Sequence, residues 1–337
     1  MVGTFAESIV SWQKLHGRHD LPWQNTHDPY AIWVSEIMLQ QTQVAAVIGY
    51  YAKFMQRFPS IAALANATQE EVLQSWSGLG YYSRARNLHN AAHKIVNDFG
   101  GEFPQNFDDI ISLPGIGRST AAAISTFAFN VPQPILDGNV KRVFARHFNI
   151  AGWPSTPKIE YAMWQIAVRE NPTTDAIAYT QGLMDLGATL CTRTKPNCAA
   201  CPVNASCEAL ANNLVSALPT PKPRKIIPEK STTMLVYVNG DAVMLEKRPP
   251  VGIWGGLWSF PEVDDVASES PLAKLTHTFT HFKLHITPQL IYTNSAHPQA
   301  NEAGKIWLSI DDAIGAAIPT PIRKILLQLK VLKYQIA

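Results

Sequence analysis

Charge is what this chain has least of. Only 16% of its 337 residues are charged, against roughly 25% in ordinary soluble proteins. Its 28 Lys and Arg nearly cancel 26 Asp and Glu, leaving +2. That balance excludes a disordered chain and a strongly basic nucleic-acid coat. Long apolar runs are also missing, and none approaches the ~20 residues that span a bilayer. No charged-then-apolar leader opens the chain, since Glu7 and Lys14 interrupt the first stretch. A soluble cytoplasmic protein is expected, without membrane attachment. Cysteine is scarce as well: there are four, all between Cys191 and Cys207. Internal repeats and low-complexity tracts are absent.

What is present falls into two parts, as the length suggests. Residues 1–220 hold 15 Lys and Arg against 16 Asp and Glu, a net −1, and residues 221–337 hold 13 against 10, a net +3. Any grip on nucleic acid must therefore rest on local basic spots, helix N-termini and backbone amides. The segment from Pro219 to Pro228 has four prolines in ten residues and reads as an extended tether. Before it the pattern is helical. Ile37, Val44, Val47 and Ile48 form one stripe over 36–48, Asn106 and Asp109 cap a short helix through Ser112, and Ala121–Ile124 begin another. After it the period becomes strand-like. Met234–Val238 and Ala242–Arg248 flank Asn239-Gly240, read as a hairpin turn with positive φ at both positions. Ser309 with Asp312 caps a short helix, and Ile322, Ile325, Leu326 and Leu329 stripe a last one. The expected architecture is an all-α domain over 1–214, a linker over 215–230 and a smaller α/β domain over 231–337.

Cys191, Cys198, Cys201 and Cys207 give C-x6-C-x2-C-x5-C. Disulfides do not suit a cytoplasmic chain. Four thiolates this close fit tetrahedral zinc or a cubane iron–sulfur cluster, and a single C-x2-C knuckle flanked by lone cysteines favours the cluster. Arg193 and Lys195 in the intervening loop are available to a phosphate or simply solvated.

Leu113-Pro-Gly-Ile-Gly117 is a tight turn between two helical patterns. The amides of Gly115, Gly117 and Arg118 then sit at a helix N-terminus, where an anion such as a DNA phosphate binds without reference to base sequence. Asp137, in Ile135-Leu-Asp-Gly-Asn-Val140, is either a sheltered, ionised acid or the N-cap of the helix carrying Val140, Val143 and Phe144, and the two roles are compatible. In Trp33-Val-Ser-Glu-Ile-Met-Leu-Gln-Gln-Thr-Gln43, Glu36 lies beside Trp33, Ile37 and Met38. Desolvation there raises a carboxyl pKa, as a general acid requires. The plain alternative is that Ser35 caps a helix with Glu36 in its first turn. The glutamine run that follows can probe base edges or serve as polar surface. Gly78-Leu-Gly-Tyr-Tyr-Ser-Arg-Ala-Arg86 adds aromatics and arginines on a turn, suited to wedging into a duplex.

Taken together, Ser35–Gln43, Gly78–Tyr82, Leu113–Gly117, Leu136–Val140 and the four cysteines closely resemble the MutY family of adenine DNA glycosylases, in the helix-hairpin-helix superfamily, over essentially the whole chain. The resemblance implies a [4Fe–4S] cluster on the four cysteines. It further implies removal of adenine mispaired with 8-oxoguanine or guanine in duplex DNA, by a monomeric enzyme acting on the bacterial nucleoid. It casts Glu36 as the acid that protonates N7, Asp137 as the carboxylate that stabilises or captures the sugar oxocarbenium, and Asn139 as an orienting residue. Gln24 and Gln181 match adenine-reading positions, Trp23 a pocket wall, and Gln41 and Tyr81 residues that enter the stack opposite the extruded base. Related bifunctional enzymes such as endonuclease III carry a Schiff-base lysine where this chain has Ser119, so strand cleavage is not expected, although Lys141 is near enough in sequence to trap an aldehyde incidentally.

The second part resembles the family's MutT-like recognition domain. Gly256–Glu262 matches the opening of a Nudix box, but Ser270-Pro271 stand where Arg-Glu is expected, so pyrophosphate hydrolysis is not. Phe279-Thr-His281 aligns with the Phe-Ser-His loop that senses 8-oxoguanine, with Thr280 in place of serine. His277 and His281 do not suit zinc in a strand or loop without further partners. The rival readings are a non-catalytic damage sensor, an endonuclease III-like enzyme and a nucleotide pyrophosphatase.

Overall fold

A computed structural model describes residues 3–223, 226–264, 272–293 and 304–336. The chain forms two compact units, one of Met1–Met55, Ser60–Ala62 and Asn90–Arg224, the other of Gln56–Pro59, Ala63–His89 and Lys225–Ala337.

The first unit is helical, and its helices begin where side chains can satisfy the first free amides. Helix α1 (Phe5–His16) opens on a capping box, Thr4 Oγ1 accepting from the Glu7 amide and Glu7 from the Thr4 amide. Helix α2 (Pro29–Leu39) has Asp28 as N-cap and Pro29 at its first position, where a missing N–H costs nothing. This corrects the expected cap at Ser35, which lies mid-helix and donates to the Ile32 carbonyl at 2.7 Å. The stripe read over 36–48 is also interrupted. Gln41 adopts a left-handed φ of 57°, and α3 (Val44–Arg57) starts afresh, so Val47 is buried while Ile48 is exposed. No Gly or Pro marks that break.

Of the next helices, α5 (Gln69–Ser75), most of α4 (Ile61–Asn66) and the start of α6 (Ser83–Asp98) belong to the second unit, and the first continues with α7 (Phe107–Ile111), capped by Asn106, α8 (Arg118–Phe129), α9 (Gly138–His147), α10 (Pro157–Glu170), α11 (Ala176–Thr189) and the short α12 (Glu208–Ala211). Helix α2 is buried almost all round and packs on α8, while α11 packs on α1 and α9. Ile9, Val140, Phe144 and Leu186 fill the space between them. At Gly187 a Cβ would come within 2.6 Å of the Asn139 Cβ, so only glycine lets α11 and α9 approach this closely.

The second unit holds a mixed sheet of β1 (Glu229–Asn239), β2 (Ala242–Lys247), β3 (Trp258–Ser259), β4 (Glu262–Val263), β5 (Leu275–Thr278), β6 (Lys283–Tyr292) and β7 (Lys305–Ser309). The strand order is β3-β2-β1-β6-β5, with β4 beside β1 and β7 beside β2, and β1 runs parallel to β6. The β1–β2 hairpin pairs Asn239 with Ala242. Its turn is thus Gly240-Asp241, one residue later than expected, with positive φ at Gly240 (54°). Ser309 caps α13 (Ile310–Gly315) by accepting from the Asp312 amide, and α14 (Thr320–Ile336) buries Ile322, Ile325, Leu326 and Leu329 completely. Glu262, the Nudix-box glutamate, is paired with Arg248; Ser270 and Pro271 lie outside the described residues. Among the described residues no helix is long and apolar enough to cross a membrane.

Phe144 is fully buried where α9 meets its neighbours. Phe144→Ala is expected to destabilise the first unit by about 3–5 kcal/mol, read as a lower urea midpoint in tryptophan fluorescence.

Candidate active site and cysteine loop

A cavity of about 850 Å³ opens in the helical unit. Trp23, Gln24, Glu36, Gln41, Ser119, Asp137, Asn139 and Gln181 all line it. Helix α2 supplies Glu36 and the N-terminal end of α9 supplies Asp137 and Asn139. Helix α8 supplies Ser119 from its first turn, and α11 supplies Gln181.

The two carboxyls share the cavity but not their surroundings. Burial pushes Glu36 up to about 8, with the nearby negative charge of Asp137 adding to the shift. Burial also raises Asp137, but hydrogen bonds from the Val140 amide and from Asn139, and the Arg142 charge, act in the opposite direction. Asp137 is the N-cap of α9, accepting from the Val140 amide at 2.7 Å, and Asn139 Nδ2 reaches it at 3.4 Å. Asn139 is fixed in turn by Arg142 Nη2 at 2.8 Å, whose guanidinium also donates to the carbonyls of Gly187 and Cys191.

The amide side chains are equally constrained. Gln181 Nε2 donates to Asp185 at 2.9 Å. Asp185 is fully buried and receives the backbone amide and guanidinium of Arg18. Because a carboxylate only accepts, Gln181 turns its nitrogen toward Asp185 and keeps its carbonyl for the cavity. Gln24 accepts from the Leu21 amide through Oε1, while its Nε2 is buried with no partner. The cavity therefore contains one fixed acceptor and one unspent donor. Trp23 is buried edge-on against Tyr51, their ring centroids 5.3 Å apart. Ser119 Oγ accepts from the Leu136 amide at 3.3 Å. Lys141 is held by Glu160 at 2.7 Å and is not among the cavity residues.

Other site candidates lie elsewhere. Gly115 has a φ of 81°, and Gly117 starts α8 without a side-chain cap, leaving its first amides to other partners. Arg118 is exposed and lies 3.9 Å over the Trp164 ring. Tyr81 belongs to the second unit, as do Thr280 and His281, both exposed in the β5–β6 turn. That turn is stiffened by Phe279 stacked on Phe282 at 4.6 Å.

Cys191, Cys198, Cys201 and Cys207 line a separate small cavity. Arg146, itself buried, donates to Cys191 Sγ at 3.4 Å and to the Thr192 carbonyl at 2.7 Å. Burial, together with the other three cysteines, pushes the Cys201 thiol up to about 11, and burial likewise raises Cys207. Among the described residues no group of His, Cys, Asp or Glu is disposed around a single ion. Arg193 and Lys195 are exposed on the intervening loop.

Arg18, Asp185, Arg142 and Arg146 were not singled out by the sequence. For Asp185 a signal existed: an acid four residues after Gln181, inside the apolar run Gly182–Gly187, needs a buried partner.

Residues 34–168 match the model of the HhH-GPD superfamily base excision DNA repair proteins, and residues 232–328 that of the NUDIX domain. The fold is similar to that of a thermostable thymine-DNA glycosylase (TM-score 0.57, 30% identity, 62% of this chain and 95% of that one). It is also similar to that of endonuclease III in a non-covalent complex with DNA (TM-score 0.53, 20% identity, 62% of this chain and 94% of that one). Fold and cavity thus define a DNA glycosylase of the helix-hairpin-helix class. Across the whole length the chain is 37% identical to the adenine DNA glycosylase of Buchnera aphidicola subsp. Baizongia pistaciae, covering 97% of both. It is 33% identical to that of Homo sapiens, covering 96% of this chain and 73% of that one. The chain belongs to the adenine DNA glycosylase family.

The folded protein holds the Glu36 proton to higher pH than the unfolded chain does. Its neutral carboxyl is tolerated fully below pH 4.5, and ionisation erodes stability as pH rises towards about 8. Glu36→Gln is therefore expected to raise the unfolding midpoint. The gain should grow between pH 5 and 8 and level off above, reaching on the order of 2–4 kcal/mol.

Proposed function

We propose that this enzyme flips adenine out of A:8-oxoguanine or A:G mispairs in duplex DNA and hydrolyses its N-glycosidic bond, leaving an abasic site with the strand intact. The observation that carries the reading is the pair of carboxyls in one cavity, both raised by burial, Glu36 to about 8, while Asp137 alone has hydrogen bonds and the Arg142 charge that oppose the rise. Two titratable groups whose surroundings separate them in this way divide the acid and base roles between them.

Duplex DNA yields the mispaired base more readily than a paired one, because unstacking costs only a few kcal/mol and least at a mismatch. Glu36, protonated at neutral pH, gives its proton to N7, so that the base departs neutral. The positive charge then appears on the sugar, where the Asp137 carboxylate stabilises or captures it, held in place by the Val140 amide and Asn139. Glu36, now an anion, accepts a proton from the incoming water. The Gln181 carbonyl suits the exocyclic amine of adenine and the free Gln24 amide suits a ring nitrogen, with Trp23 as the pocket wall. The absence of an amine at Ser119 supports a monofunctional enzyme: no cavity group is placed to form a Schiff base.

The remaining residues fit a division of labour between a catalytic domain over 1–214, a connector over 215–230 and a recognition domain over 231–337. The uncapped amides at Gly115–Arg118 suit a phosphate, Gln41 and Tyr81 suit the vacated stack, and Thr280 and His281, exposed on a rigid aromatic turn, suit an oxidised purine. The enzyme is read as monomeric and cytoplasmic.

The four half-buried cysteines fit a [4Fe–4S] cluster, since thiolates crowded together and partly out of water need a cationic centre to offset their charge. When bound there, the cluster supplies metal–thiolate bonds that staple the loop. The purified chain is expected to contain about four irons, with visible absorption that bleaches in Cys201→Ser.

A labelled duplex with adenine opposite 8-oxoguanine should release adenine and show strand breaks only after alkali. Glu36→Gln should bind that duplex and lose base release by about 10²–10⁴-fold, the usual worth of a general acid. Turnover retained within tenfold would reject the acid assignment, and prompt scission without alkali would reject monofunctionality.

A further inference from the structure

The turn that bears Tyr81 is an unlikely conformation to find unassisted. Gly78, Gly80 and Tyr81 have φ of 101°, 78° and 49°, and for the non-glycine Tyr81 the left-handed region is strained. Its ring is nonetheless 44% exposed, so the turn is not held by burial of that side chain.

The support comes from polar contacts on its inner side. Trp76 Nε1 and Arg84 Nη2 both donate to the Gly80 carbonyl, each at 3.1 Å. The two ends of the turn converge on one carbonyl of the C-terminal region: Ser77 Oγ donates to Ile318 O at 2.9 Å and the Tyr82 hydroxyl donates to it at 3.3 Å. The Tyr82 hydroxyl also accepts from the Gly78 amide at 3.2 Å, and Ser77 Oγ accepts from Arg323 Nη2 at 2.9 Å. Each hydroxyl therefore spends its proton on Ile318 and its lone pair on a donor. The chain of bonds runs from the guanidinium on α14, through Ser77, to the carbonyl just before that helix and back into the turn.

Further along the same unit, Glu70 of α5 accepts from the Trp258 indole and from Lys247, so α5 is tied to the sheet independently of the turn. The Ile318–Arg323 contacts are thus not needed to keep α5 in place. What they fix is the backbone between Ser77 and Tyr82.

We propose that Arg323 and the Ile318 carbonyl are positioning elements for Tyr81: the C-terminal region sets the pose of the residue that enters the duplex. This rests on the reading of Tyr81 as a stack-entering residue given above. In the absence of the Arg323 donor, the Ser77 hydroxyl loses a partner that orients it, and its tie to Ile318 is loosened. Tyr81 then meets DNA from an ensemble of poses instead of one, which weakens binding at the mispair and leaves the chemistry of the bound complex alone.

The test uses the full chain and a duplex carrying 2′-fluoro-2′-deoxyadenosine opposite 8-oxoguanine, which binds without being cut. Arg323→Met keeps the aliphatic stem and removes the donor; it should weaken binding about fivefold to tenfold, while adenine release at saturating enzyme stays within twofold. Ser77→Ala should do the same, and Arg323→Lys, which restores a donor, should recover most of the affinity. In a Tyr81→Ala background Arg323→Met should have no further effect, an outcome that general destabilisation does not produce. An Arg323→Met penalty of equal size in that background overturns the proposal, as does unchanged affinity. Adenine release by the unmodified chain is measured alongside. Its failure would reject the glycosylase reading itself, whereas release with additive penalties rejects only the positioning role.

Discussion

A carboxyl keeps its proton towards neutral pH only when it is kept out of water, and the helical unit does this for Glu36. Its helix, α2, is buried on nearly every side and sits against α8, which is why so apolar a segment can carry a carboxyl at all. Desolvation alone would neutralise Asp137 as well. The difference between the two arises from where each side chain leaves the backbone: Asp137 stands at the first turn of α9, where a free amide and the Asn139 side chain favour its charged form. One cavity thus holds two carboxyls that burial raises together, and only at Asp137 do hydrogen bonds and a nearby cation resist the rise.

Around that pair the structure spends its arginines on orientation. Arg142 fixes Asn139 against the backbone of α11 and the cysteine loop, and Arg18 does the same for Gln181 through Asp185. Neither guanidinium is free to act as a surface cation. This accounts for a chain that handles a polyanion while carrying so little net charge: several of its positive groups are internal struts, and α8 offers amides in their place.

Much of this was legible in the sequence because it is written in local chemistry. Asn106, Ser309 and Asp137 announce caps, the α14 stripe announces its buried face, and four cysteines within 17 residues announce a shared site. The errors share a cause. The helix read through 36–48 breaks at Gln41, which has neither the flexibility of glycine nor the rigidity of proline to advertise it, and the start of α2 lies at Asp28-Pro29 rather than at Ser35 because a cap can be recognised only relative to the helix it opens. The Arg18–Asp185 pair joins residues 167 apart, and no spacing rule spans such a distance. The left-handed backbone at Tyr81 is likewise flanked by contacts to a residue more than 200 positions later, Ile318.

Asp137 is both the cap of α9 and a carboxyl of the cavity, and the two properties are separable by a single atom. Asparagine caps a helix about as well as aspartate but carries no charge. A change from one to the other at this position would keep a cap for α9 while removing a carboxyl from the cavity. One side chain thus ties the start of a helix to the electrostatics of the cavity, and its two oxygens, not its position, carry the difference.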